Sequence, residues 1–169
     1  IEVVPITMAR SIASPIKEIN SVLKLIEINK KYKPDLVHNI SLKPILLGSI
    51  AAWIAGVPRV INAYTGLGYL FISSSWSSSI FKKLVTPFLS LLFKREQFYS
   101  IVQNKDDEAL LMEQGLVKTE KYSLISGAGV DTSHFKYTPE EPTDTPIVMF
   151  ASRLLVDKGV REFIEACKI

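Results

Sequence analysis

Four segments of this 169-residue chain hold residue types that could do chemistry or meet a ligand. Ser152-Arg153-Leu154-Leu155-Val156-Asp157-Lys158-Gly159 offers a guanidinium and an ammonium. The first can fork onto two phosphate oxygens, and the second is a compact point charge. Between a strand end and a helix start the pair would suit a diphosphate; the other reading is two solvated cations. His38-Asn39-Ile40-Ser41-Leu42-Lys43-Pro44 carries an imidazole that can contact a hydroxyl or act as a base near neutral pH. Its alternative is a histidine bonded to nearby backbone. Lys43 falls just before a predicted helix, where a cation opposes the dipole unless an anion is near. Asn62-Ala63-Tyr64-Thr65-Gly66-Leu67-Gly68-Tyr69 leaves a strand with two glycines that let backbone approach a ligand. It lacks the third glycine of a dinucleotide fingerprint, so it is either a binding loop or a tight turn. Gly127-Ala128-Gly129-Val130-Asp131-Thr132-Ser133-His134 reads as a structured exit from a sheet, with Asp131 able to bond back to its own chain.

These segments need a scaffold, and the hydrophobic spacing supplies one. Ser14-Pro15 resembles a cap followed by proline at the first helical position. Ile16, Ile19, Leu23 and Ile26 then mark one helix face, which Pro34 ends. Asp35 to His38 reads as a strand, Ile45 to Ala55 as a helix closed by Gly56, and Arg59 to Ala63 as the next strand. Small residues Gly48, Ala52 and Ala55 would let that helix pack closely on a sheet. Strand, helix, strand at this spacing is a βαβ unit and implies a parallel sheet. The pattern repeats with a helix from about residue 80 to 98, a strand at 100–103, a helix capped by Asn104 and ended by Gly115, and a strand at 122–126. Residues 138–146 hold three prolines and three acids with no apolar period, the composition of a linker. A strand at 147–151 and a helix at 158–168 follow, too little to bury a core alone. The expected organisation is an α/β domain over 1–137 lacking its first strands, a linker, and from 147 the start of a second, truncated domain. The chain reads as an internal piece of a longer protein; the alternative is a small domain with trimmed ends. In open parallel sheets ligands sit outside the carboxyl ends of the strands, where all four segments fall.

Composition narrows the functions. The chain is 47% hydrophobic and 22% charged, which excludes a disordered tail. One cysteine, Cys167, excludes an internal disulfide framework, and with two histidines leaves little for a metal cluster. No apolar run reaches the roughly 18–20 residues of a membrane span. The net charge of +3 permits contact with phosphates or anionic lipid. Trp76, Phe81, Phe88 and Phe93 alternate with Lys82, Lys83, Lys94 and Arg95 over 76–95. That stretch is either a helix able to lie on an anionic membrane with apolar surface outward, or a core helix with charged ends kinked by Pro87. No sheet face interleaves basic and aromatic residues as nucleic-acid binders do, so no nucleic-acid partner is expected.

The ordered set of these segments resembles glycosyltransferase family 4, whose members have the two-domain GT-B fold. The matching stretches are Pro34-Asp35-Leu36-Val37-His38, Leu42-Lys43-Pro44 with Gly48, Ala51-Ala52 through Ala55-Gly56-Val57-Pro58, and Val60-Ile61-Asn62-Ala63. They continue with Thr65-Gly66-Leu67-Gly68-Tyr69, Gln103-Asn104 with Asp106-Asp107, Gly129-Val130-Asp131 with Phe135, and Ala151-Ser152-Arg153-Leu154-Leu155 with Asp157-Lys158-Gly159-Val160. The closest likeness is to the bacterial branch that builds capsules, O-antigens and other surface glycans, lipopolysaccharide among them. The resemblance implies Rossmann-like parallel sheets with helices on both faces. It implies a retaining transferase that moves a sugar from a nucleotide diphosphate to a polyprenyl-diphosphate-linked or glycan acceptor. It implies no metal or other cofactor, and a cytoplasmic protein peripheral to the inner face of the bacterial membrane. Arg153 and Lys158 fall on the family's cations for the departing diphosphate. His38, Lys43, Asn62, Thr65, Gly66 and Gly68 fall on the acceptor side of the cleft, and Gly129 and Asp131 on a structural turn beside it.

The sequence departs from the family at two places. Ile40 stands where many members have a second histidine, and Ala128 where asparagine often precedes Gly-Val-Asp. No catalytic base is therefore assigned. The family's N-terminal glycine-rich loop and C-terminal donor-binding glutamates have no counterpart in the chain, so it is expected to be inactive by itself. Two rivals remain: a sugar-nucleotide epimerase of the same architecture, and a non-catalytic nucleotide- or glycan-binding fragment.

Overall fold

The computed structural model describes residues 2–6, 15–66, 76–127, 129–139, 145–154 and 158–168. The chain divides into two compact units, 1–129 and 130–169.

In the first unit, helix α1 (Pro15–Tyr32) leads into strand β1 (Leu36–Ile40), helix α2 (Leu42–Ala55) and strand β2 (Arg59–Tyr64). Helix α3 (Trp76–Phe93), strand β3 (Phe98–Val102), helix α4 (Lys105–Glu113) and strand β4 (Tyr122–Leu124) follow. The four strands form one parallel sheet in the order β1-β2-β3-β4. The parallel α/β architecture expected from the spacing is the one that forms.

Register decides which side chains share a face. Val37 and Asn39 pair with Val60 and Asn62, and Val60, Asn62 and Tyr64 pair with Phe98, Ser100 and Val102. These positions carry the core. Val60, Tyr64, Phe98 and Val102 pack with Ile45, Leu46 and Ala52 of α2, Leu89, Leu92 and Phe93 of α3, and Leu111 of α4. Strand order that advances one place at a time, with right-handed crossovers, puts successive helices on the same side. The opposite face exposes Leu36, Ile40 and Tyr99.

Local chemistry sets the helix ends. Asn104 accepts the Asp107 N–H at 2.7 Å and caps α4, and Asp106, Asp107 and Glu108 lie at the favourable end of its dipole. Gly56 ends α2 in the left-handed conformation at φ 74°, its N–H turned to carbonyls of the last turn. Helix α3 runs through Pro87.

Several expectations need correction. Strand β1 runs two residues beyond His38, so His38 is mid-strand rather than at a strand end. Helix α2 begins at Leu42, which puts Lys43 inside its first turn rather than before it. The apolar stripe Ile16, Ile19 and Leu23 is exposed, whereas Ser21 is buried and bonds to the Lys17 carbonyl. Helix α1 packs on α2, so neighbouring elements and not the stripe choose its inward side. The proposed cap Ser14 lies outside the described residues.

The second unit contains helix α5 (Val160–Ala166). The strand expected at 147–151 does not form, and Ile147, Val148 and Met149 are exposed. An apolar run becomes a strand only when a neighbour accepts its backbone hydrogen bonds. None does so among the described residues. Phe150 stacks on Phe163 of α5 with ring centroids 5.1 Å apart.

Candidate functional site at the carboxyl ends of the strands

The carboxyl ends of β1 and β2 bring together Ser41, Lys43, Thr65 and Gly66. Ser41 joins β1 to α2 with φ 70° and ψ 160°, a conformation unusual for a residue with a Cβ. Its N–H bonds to the Ala63 carbonyl at 3.0 Å, so the ends of the two strands are tied together. Thr65 and Gly66 are exposed, and Gly66 has φ 112°, which favours glycine. Gly68 lies outside the described residues.

Lys43 lies 2.7 Å from the Glu18 carboxylate of α1. The two side chains are only 19% and 12% exposed. Glu18 is thus the anion that reconciles a lysine with a helix start. Its second oxygen, Oε2, is buried and unpartnered. Glu18 carries no signal in the sequence, because nothing in its local spacing links α1 to α2.

Asn62 sits under the helix layer, 1% exposed. Asn39 Nδ2 donates to its Oδ1 at 2.9 Å, and Ser49 Oγ donates to the same oxygen at 3.0 Å. Asn39 Nδ2 is also 3.4 Å from Ser49 Oγ. The available signal was an asparagine at matching places on the inward faces of two neighbouring strands. His38 alternates with Asn39 along β1 and is exposed on the opposite face of the sheet. Alternation therefore separates the histidine from the buried row by one residue of sequence and the whole thickness of the sheet.

Tyr64 ends β2 buried, its hydroxyl without a partner, and loss of solvent pushes its pKa well above the ordinary tyrosine range. Thr86 Oγ1 on α3 is likewise buried and unpartnered. A cleft of about 350 Å³ lined by Lys30, Lys33, Asp35 and Gly56 lies at the amino ends of β1 and β2, away from these loops.

In the second unit the Asp131 side chain accepts from the Ser133 hydroxyl at 2.6 Å and the Ser133 N–H at 2.9 Å. This is the local turn its spacing suggested, and those bonds hold the carboxyl below its usual pKa. Gly129, the last residue of the first unit, has φ 71°. Arg153 and Lys158 are both exposed. Among the described residues no group of His, Cys, Asp or Glu is arranged to hold a metal ion, and no helix is long and apolar enough to cross a membrane.

Residues 1–99, which include β1, β2 and both of their loops, match the glycosyl transferase 4-like family. The chain belongs to that family. It is 35% identical over 129 residues to the Escherichia coli UDP-Gal:alpha-D-GlcNAc-diphosphoundecaprenol alpha-1,3-galactosyltransferase, covering 76% of this chain and 32% of that protein. It is 23% identical over 178 residues to the Campylobacter jejuni N,N'-diacetylbacillosaminyl-diphospho-undecaprenol alpha-1,3-N-acetylgalactosaminyltransferase, covering 98% of this chain and 47% of that protein. A shorter match joins it to a Proteus mirabilis UDP-N-acetylglucosamine--N-acetylmuramyl-(pentapeptide) pyrophosphoryl-undecaprenol N-acetylglucosamine transferase, 32% identical over 77 residues, or 46% of this chain and 21% of that protein. The chain therefore spans less than half the length of these relatives.

Proposed function

We propose that the protein to which this chain belongs is a retaining glycosyltransferase of bacterial surface-glycan synthesis. It transfers a sugar from a nucleotide diphosphate to an acceptor linked to a polyprenyl diphosphate. The observation that carries this reading is the E. coli match. That relative is named for a UDP-sugar donor and a diphosphoundecaprenol acceptor, and the match covers three quarters of the chain. All three relatives above are named as transferases, which favours transfer over epimerisation.

In this reading the loops after β1 and β2 form the acceptor side of the cleft. Lys43, Thr65, Gly66 and Gly68 approach the acceptor, and His38 borders it from the open face. Asn62, being buried, supports the loop from beneath. Residues from 147 onward belong to a donor-binding domain that follows a 138–146 linker. There Arg153 and Lys158 meet the diphosphate, whose charge grows as the sugar departs. Gly129 and Asp131 shape the turn beside the cleft.

The acceptor reading also calls for contact with a membrane. Phe88 and Leu91 are exposed on α3, and Arg95 stacks over Trp53 of α2, 5.0 Å from the ring centroid. Apolar side chains beside cations suit the inner face of an anionic bilayer.

The deciding experiment is a transfer assay on the full-length protein with UDP-sugars and a short-chain prenyl-diphosphate-linked N-acetylglucosamine. Sugar addition to the lipid supports the proposal. Conversion of the nucleotide sugar without lipid supports the epimerase instead. For the membrane component, anionic vesicles should sediment the protein better than neutral ones, and Lys82→Glu with Lys83→Glu should weaken that binding.

A further inference from the structure

The row Asn39, Ser49 and Asn62, continued on β3 by the buried Ser100, lies among the apolar residues between the sheet and its helices. It is a costly arrangement. The Nδ2 of Asn62 is buried with no partner, and replacing both partners of a buried hydrogen bond by apolar groups of like shape is often neutral or stabilising. Core stability therefore does not account for the row, and its position suggests what does. Asn39 stands two residues before Ser41, and Asn62 lies three before the Thr65–Gly66 loop. Both side chains face the helix layer, so neither touches a ligand held above the loops. What they share is a grip on the two strand ends and on α2.

Two more features leave that grip little slack. Ser41 is held at φ 70° by the bond from its N–H to Ala63. Gly48 has no room for a Cβ, because Asn39 fills the space. An apolar pair could slide along the helix at small cost, whereas directional hydrogen bonds fix one arrangement.

We propose that Asn39, Ser49 and Asn62 are positioning residues that hold the ends of β1 and β2 in one register, so that Ser41, the first turn of α2 and the 65–66 loop present a single shape to the diphosphate-linked acceptor. The inference rests on the acceptor reading above.

The test is the double variant Asn39→Leu with Asn62→Leu in the full-length protein. Its unfolding midpoint should stay equal to or above the native value. Its KM for farnesyl-diphosphate-linked N-acetylglucosamine should rise at least tenfold, with the KM for the nucleotide sugar unchanged. Ser49→Ala, which keeps the Asn39–Asn62 bond, should raise the acceptor KM by a smaller factor. An unchanged acceptor KM in the folded double variant overturns the proposal, as does an equal rise in both KM values together with a lowered midpoint. Should the double variant not fold, an unchanged acceptor KM in Ser49→Ala overturns it. If native protein adds no sugar to the lipid probe, the acceptor reading fails, and the inference falls with it.

Discussion

Asn39 occupies the space that a side chain on Gly48 would need. A Cβ built at residue 48 would stand 2.9 Å from Cγ of Asn39 and would overlap its Oδ1. The helix thus approaches the strand closely because residue 48 has no side chain, and Asn39 uses that approach to reach Asn62 and Ser49. Gly48→Ala should cost about 1–3 kcal/mol, in the range of overpacked cores, although alanine is the better helix former. Denaturant unfolding of the two proteins measures it, and a stabilised variant would contradict the packing described.

The Glu18–Lys43 pair should be worth more than a surface ion pair. Both groups are mostly buried, so Lys43→Met strands a carboxylate away from water. The expected loss is on the order of 3 kcal/mol. Removing both charges with Glu18→Gln and Lys43→Met should cost less than Lys43→Met alone. A double-mutant cycle by chemical denaturation reads this coupling, and simple additivity would count against it.

Tyr64 should be the last of the six tyrosines to ionise. Burial raises its folded pKa above the unfolded value, so the associated stability is complete below the unfolded tyrosine pKa and is lost as pH rises through the folded one. An alkaline absorbance titration should show its ionisation coinciding with unfolding. Tyr64→Phe deletes an unpartnered hydroxyl and should stabilise the protein by about 1 kcal/mol. Normal titration of all six in the folded state would refute the assignment.

Asp131 gives the opposite pH dependence. Its folded pKa is lowered, chiefly by the Ser133 hydroxyl, so its contribution is present above the unfolded carboxylate pKa and fades as pH falls through the folded value. The protection of the Ser133 and His134 amides, taken relative to the intrinsic exchange rate at each pH, should fall in acid, and Asp131→Asn should remove most of that pH dependence.

Arg153 and Lys158 are tested through turnover. In the full-length protein with saturating donor, Arg153→Ala and Lys158→Ala should each lower kcat by about 10²–10³. Loss of transition-state charge stabilisation lowers kcat more than it weakens ground-state binding. Near-normal kcat in both folded variants would leave the pair as surface charge.

Sequence alone determined the parallel α/β class, because strand and helix periods alternate at βαβ spacing and the strands are short apolar runs bounded by turn residues. It also determined the Asn104 cap and the Gly56 stop, whose chemistry lies within a few residues, and it marked the loops after β1 and β2. It failed where a partner distant in sequence decides the outcome. The 147–151 run has strand composition but no strand beside it. The Ile16–Leu23 stripe has helix spacing, yet α2 meets another side of α1. His38 and Asn39 are adjacent in sequence, and only the register of β1 on β2 sends the amide into the core and the imidazole to the other face. Lys43 could be seen as a cation at a helix start, but its anion, Glu18, is reached only through helix packing. Local hydrogen bonds and periodicity are properties of a short segment and can be read from it, whereas burial and pairing belong to two segments at once and exist only after the chain has closed on itself.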